Sequence, residues 1–224
     1  FSRKTALPVV ALLGLAVPLG FSIALWADLN GDLDSWSGQA LGVNTTGVGS
    51  MTGVFNTLVV DKFSLFFKFL LVGVAALIVL VSNEYSSRFQ RFRGEFYALV
   101  LLSTTGMMLL ASTVELITIF ISLELTALPV AALAAFLRDS RSSESGMKFL
   151  LLSAISSAIL LYGMVIVYGF TGTTMLEEIG ARVGVLAEGV DEPFGGKALL
   201  FGIVLMIAGF GFKIASVPFQ MWAP

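Results

Sequence analysis

Cysteine and histidine are both absent from the 224 residues. Without thiolates the chain holds no disulfide and no cysteine-ligated iron–sulfur cluster. Without imidazole it has no Cys/His zinc site and no Ser-His-Asp triad. Charge is scarce too. Lys and Arg number 13 and Asp and Glu 15, a net charge of −2, and no basic stripe offers a track for nucleic acid. What remains is apolar: 57% of the residues are hydrophobic, and the charges gather between long uncharged runs. This is the profile of an all-α, polytopic membrane protein.

Six stretches are long enough to cross a bilayer as helices: roughly Thr5–Trp26, Asp61–Ser82, Glu95–Ser112, Thr113–Leu137, Met147–Phe170 and Gly196–Met221. The first is no signal peptide, because its apolar part of about twenty residues exceeds an h-region and no cleavage site follows Trp26. The third and fourth meet at Ser112–Thr113 with almost no connector, which predicts a tight antiparallel hairpin. If the N-terminus is cytoplasmic, that side gathers Arg3, Lys4, Arg88, Arg91, Arg93, Arg138 and Arg141, and the other side receives acidic or neutral loops. Arg182, Lys62 and Lys197 are the exceptions. The acidic stretch Glu177–Glu192 reads as a solvated connector with a short helix. Trp26, Trp36, Tyr97 and Trp222 lie near segment ends, where aromatic side chains anchor at the interface. No linker divides the chain, so residues 1–224 read as one transmembrane domain.

An ionisable side chain inside a bilayer marks a pathway or a buried pair. Glu124 lies near the middle of its segment and Lys213 well inside the last one. Burial lowers an ammonium's pKa toward neutrality, and a carboxylate beside it raises it again. A lysine near or far from a carboxylate is therefore a proton site with two settings. Pro218 removes the donor for the carbonyl of Ile214, one residue from Lys213, so the helix is expected to break there. Irregular backbone at that depth is tolerated inside protein or beside water, which puts Lys213 at a small hydrated cavity. A static Glu124–Lys213 pair that only fixes helix packing is the alternative. Lys68, about two turns into its segment, has the length to snorkel to the headgroups. Glu144 and Lys148, four apart, read as a helix-end salt bridge. Glu115 and Glu124, nine apart, point to opposite sides of a helix and form no paired-carboxylate site. Ser153/Ser157 and Ala154/Ala158 have the small-xxx-small spacing of close helix packing, and read as packing alone.

Four stretches carry a family resemblance: "YALVLLSTTGMMLLAS", "SLELTALPVAALAAF", "SSESGMKFLLLSAISSAILLYGMVIVYGFTGTT" and "GFGFKIASVPFQMWAP". From about Phe63 onward the chain resembles the proton-pumping, antiporter-like membrane subunits of respiratory complex I, NADH:quinone oxidoreductase. The Glu144–Lys148 spacing and the "LLYG…YGFTGTT" run look nearest to its subunit N branch, rather than to its sister subunits or to Mrp-type cation/proton antiporters. The resemblance implies a fourteen-helix subunit with two inverted five-helix repeats, of which this chain would hold part, its first repeat running roughly over residues 95–224 and incomplete. It implies that Glu124 and Lys213 gate proton movement, that the helix at Lys213 is broken, and that Lys148 lies on the axis joining the half-channels. Many relatives have histidine where this chain has Gln220, which cannot titrate.

The function implied is a proton-translocating subunit in a hetero-oligomer with other complex I membrane subunits, embedded in the bilayer of the bacterial inner (plasma) membrane. No cofactor is expected on this chain, and FMN, iron–sulfur clusters and quinone are expected on partner subunits. Two alternatives stand beside it: an Mrp-type cation/proton antiporter subunit using the same pair, and a membrane scaffold whose charges are static.

Overall fold

The computed structural model describes residues 3–29, 44–45, 50–53, 57–85, 92–188 and 195–220. Among these described residues seven helices follow in order: α1 (Arg3–Leu29), α2 (Lys62–Tyr85), α3 (Arg93–Leu110), α4 (Leu116–Ala134), α5 (Ser140–Thr171), α6 (Leu176–Glu188) and α7 (Gly195–Lys213). Between α1 and α2, strands β1 (Asn44–Thr45), β2 (Ser50–Gly53) and β3 (Leu58–Asp61) form a small antiparallel sheet in the order β1-β2-β3. Sequence reading had only a loop there, because polar turn residues interrupt its short apolar runs. β2 and β3 pair from Ser50↔Asp61 to Gly53↔Leu58.

Five of the six expected segments are helices long and apolar enough to span: α1, α2, α4, α5 and α7. The sixth, α3, is an 18-residue helix that opens with Arg93 and Glu95, which shortens its apolar run. Large apolar side chains such as Leu13, Phe66, Val81, Ile155 and Ile207 are more than half exposed, as lipid-facing residues are. In lipid, apolar burial does not hold helices together, so close contact between small residues has to. The expected α3–α4 hairpin forms that way. A Cβ on Gly106 would stand 2.6 Å from Thr126 Oγ1 and 2.8 Å from the Thr126 backbone nitrogen. Nearby, Ser103 donates to the Thr126 carbonyl at 3.3 Å.

The connectors sort to two ends as loop charge predicted. At one end Val59 N–H donates to the Ser112 carbonyl, Leu116 N–H to Thr174 and Leu176 N–H to Val114. These contacts tie the β3, α3–α4 and α5–α6 connections together. At the other, Arg138 lies 4.4 Å from the ring centroid of Phe92, and Phe96 packs edge-on to Phe136.

Tyr97 is not at an interface. It is 3% exposed, in a core with Ala11, Leu15, Val72, Ala75 and Val79 of α1 and α2. Its place in the first turn of α3 suggested an anchor, but the face it occupies turns toward those helices. Trp26 is half-exposed, while Trp36 and Trp222 lie outside the described residues. Lys68 lines a cavity of about 330 Å³ between α1, α2 and α3, with Gly14, Thr104 and Thr105 among its neighbours.

Glu115, to which the sequence assigned no role, caps α4. Its carboxylate accepts from Thr118 N–H at 2.9 Å and from the Thr118 hydroxyl at 2.6 Å. Burial opposes its charge, yet these bonds, with others from Thr174 and the Ile117 backbone, outweigh that and hold the carboxyl below the usual range. A lowered folded pKa stabilises fully above the unfolded value of about 4.3, and that contribution is lost as pH falls through the folded value. Glu115→Ala is expected to cost about 1 kcal/mol. Glu115→Gln, which keeps an acceptor, is expected to cost less and to remove the acid-side loss, both read from unfolding temperature in detergent across pH.

Candidate functional site

Three helices converge on one ion pair. Glu124 comes from the middle of α4, Lys213 from the last residue of α7, and between them runs α5. Lys213 Nζ lies 3.2 Å from Glu124 Oε1, with side chains 11% and 25% exposed. Two serines of α5 complete the group. Lys213 Nζ donates to Ser153 Oγ at 2.9 Å, and the Ser157 hydroxyl donates to Glu124 Oε1. Ser153 and Ser157 are one turn apart on one face of α5, so a single helix holds both partners.

The packing of α5 on α7 sets this geometry. A Cβ on Gly163 would meet the Gly202 carbonyl at 2.7 Å, and one on Gly209 would meet Leu160 Cβ at 2.6 Å. Ser156 donates to the Gly209 carbonyl at 3.1 Å. Lys213 sits one turn beyond Gly209, which brings its stem back along α5 to Ser153. Its position at the C-terminus of α7 also suits a cation, because the last carbonyls of a helix carry partial negative charge.

The expected break is present beside Lys213, where Pro218 frees the Ile214 carbonyl. α7 stops at Lys213, and Ala215 takes a left-handed conformation at φ 52°. Ser216 N–H then closes on the Gly211 carbonyl at 2.9 Å. A Cβ on Gly211 would lie 2.9 Å from Ser216 Oγ, so the turn folds back over a residue with no side chain. The last segment therefore does not run as one helix to Met221, which lies outside the described residues. Gln220 is exposed in the turn that follows.

Glu124 and Lys213 are thus brought together, and Lys148 is not among them. It pairs with Glu144 at 2.6 Å, with side chains 70% and 63% exposed, at the start of α5. Helical spacing placed both on one face, and they meet as that spacing requires. The serines are what sequence reading missed. Ser153 and Ser157 do lie on a buried face, but they bond the ion pair, while Ala154 and Ala158 are exposed. The available signal was a hydroxyl repeat at four-residue spacing in the uncharged part of a helix, which by itself is equally a packing motif. Glu115 stands apart as the α4 cap, as the nine-residue spacing predicted. Among the described residues no group of three or more His, Cys, Asp or Glu is arranged to hold a metal.

The arrangement is a partly buried carboxylate and ammonium, each with a neutral hydroxyl partner, at a helix end in a membrane domain.

Residues 112–224 match the protein family described as NADH:quinone oxidoreductase/Mrp antiporter, transmembrane. NADH-quinone oxidoreductase subunit N from Dehalococcoides mccartyi is 45% identical over 164 residues, covering 73% of this chain and 34% of that protein. The subunit N of Heliobacterium modesticaldum is 39% identical over 236 aligned positions, covering 100% of this chain and 47% of its own. A chain of the respiratory complex I from Thermus thermophilus, solved with bound aureothin, superposes with a TM-score of 0.59 at 27% identity, covering 99% of this chain and 46% of that one. This chain thus spans between a third and a half of the relatives it matches.

Proposed function

We propose a proton-translocating role for this chain, which belongs to the NADH:quinone oxidoreductase/Mrp antiporter family of transmembrane proteins. As a part of subunit N, or of a close equivalent, it would sit in the bacterial inner membrane among the other membrane subunits of NADH:quinone oxidoreductase. Electron transfer would take place on partner subunits bearing FMN, iron–sulfur clusters and quinone. The observation that carries this reading is the Glu124–Lys213 pair, partly buried between α4 and α7 and bracketed by hydroxyls.

The mechanism follows from charge. A buried carboxylate and ammonium stabilise each other's charged form. A proton arriving at Glu124 removes that support from Lys213, whose proton then leaves more easily toward a neighbouring acceptor. The Glu124 proton then passes to the neutral Lys213, which regenerates both the carboxylate and the ammonium. Each exchange moves one proton, and any change in a partner subunit that alters the distance between the two groups biases it. Residues 95–224 form the first, incomplete repeat of the antiporter-like fold, and Lys148 is the next relay member along α5.

Sealed vesicles of the complete complex, driven by NADH, test the pair. Glu124→Gln keeps the acceptor for Ser157 and Lys213 but cannot titrate. Protons moved per electron are expected to fall several-fold at equal levels of assembled complex. Unchanged pumping would leave the pair structural and the scaffold reading standing. Lys148 offers a cleaner test, because an exposed i,i+4 ion pair contributes only about 0.3–0.5 kcal/mol. Lys148→Ala should leave assembly and unfolding temperature unchanged, so a drop in pumping would report a relay role free of folding defects.

The family also contains Mrp antiporters, so a cation/proton exchange reading is carried by the same match. It is distinguished by partners and ions. Copurification with flavin- and iron–sulfur-bearing subunits supports the oxidoreductase reading, and sodium-dependent proton release without NADH supports the antiporter.

A further inference from the structure

Lys213 has two acceptors, and the neutral one is nearer: Ser153 Oγ at 2.9 Å against Glu124 Oε1 at 3.2 Å. Charge-assisted N–H···O contacts usually close to about 2.7–2.9 Å, and the Ser153 bond falls in that range. Glu124 Oε1 in turn has a second donor in Ser157. Both hydroxyls are on α5, which contributes no charged residue between Lys148 and Thr171, and both serines are buried. Either member of the pair can therefore lose the other without losing every hydrogen bond.

We infer that Ser153 and Ser157 are positioning residues that let the Glu124–Lys213 pair open and close. The inference rests on the proton-relay reading above and deepens it. An ammonium parted inside a membrane domain from the one carboxylate it pairs with among the described residues would lose its counter-charge, and that cost would lock a simple ion pair shut. Ser153 supplies the parking place. When a proton reaches Glu124, its carboxyl becomes neutral, the 3.2 Å contact is released, and Lys213 remains bonded to Ser153. Ser157 meanwhile keeps the Glu124 side chain on the α5 face, so the pair re-forms in the same geometry. The one-turn spacing of the two serines keeps the open and closed arrangements adjacent.

The test uses shape-matched variants in the complete complex. Ser153→Thr and Ser153→Val have the same volume and branching, and only the first keeps a hydroxyl. Proton transport per assembled complex is expected to fall about tenfold in S153V, the effect of losing one hydrogen bond to a charged group, and to stay near wild type in S153T. Equal transport in S153T and S153V would show that the position serves packing only, and would overturn the inference. Where S153V fails to assemble, Ser157→Thr and Ser157→Val carry the same comparison, with equal transport again overturning it. Full transport in Glu124→Gln defeats the relay reading itself, and that result is independent of how the serine variants compare.

Discussion

Lys213→Ala is expected to lose both stability and proton transport, whereas the double substitution Glu124→Gln, Lys213→Met is expected to recover stability and leave transport absent. The single variant strips Glu124 of its counter-charge and leaves a carboxylate with one hydroxyl donor, Ser157, in a largely buried position. Removing one partner of a fully buried pair costs about 3–5 kcal/mol. Here a quarter of the Glu124 side chain stays exposed, so about 2–3 kcal/mol is expected. The double variant removes both charges, fills the space with side chains of similar length, and leaves Ser157 an amide to bond. Replacing a buried ion pair by neutral groups of similar volume is often neutral or stabilising. Unfolding temperature in detergent and the yield of assembled complex report the first effect, and vesicle acidification driven by NADH reports the second. If transport returned with stability in the double variant, the pair would be a packing device and the relay assignment would fail.

Gly209→Ala is expected to abolish transport without touching a polar residue. The added Cβ would lie 2.6 Å from Leu160 Cβ and 2.9 Å from Leu160 Cα. Neither atom can swing aside, because both belong to or adjoin the backbone of α5. The helices must part, and Lys213, one turn further along α7, moves away from Ser153 and Glu124. Overpacking of this kind typically costs about 1–3 kcal/mol, and a misplacement of about an ångström in a reacting group can cost a hundredfold in rate. Gly169→Ala is the control. It lies on the same helix as Leu160, nothing stands within 4 Å of its added Cβ, and the substitution should be neutral or slightly stabilising. Equal behaviour of the two alanine variants would show that the α5–α7 approach does not set the site.

Uncharged runs separated by charged ones sufficed to place the spanning helices, because a bilayer penalises every charge and every unpaired backbone group within it. The same penalty made Glu124 and Lys213 legible as a pair, 89 residues apart in sequence, since each needs a partner and few are present. Loop charge sorted the connectors into two groups, and the hydrogen bonds among residues 57–59, 112–116 and 174–176 gather one of them at a single end.

Tertiary structure decided what periodicity leaves degenerate. Small residues spaced by four look alike whether they pack, cap or bond a charge, and only the approach of α4 and α7 to α5 assigned Ser157 and Ser153 to the ion pair. Tyr97 reads as an interface residue by its place in the segment, and only the packing of α3 on α1 and α2 put its ring in the core. The end of α7 was legible in sequence, because Pro218 puts the break beside Lys213, but only the structure showed how the chain turns there, with Ala215 left-handed and the backbone folded back over Gly211. A one-dimensional pattern records which residues the membrane will not tolerate alone. Which neighbours satisfy them depends on helix crossings, and those are fixed by contacts between glycines and side chains that lie far apart in the chain.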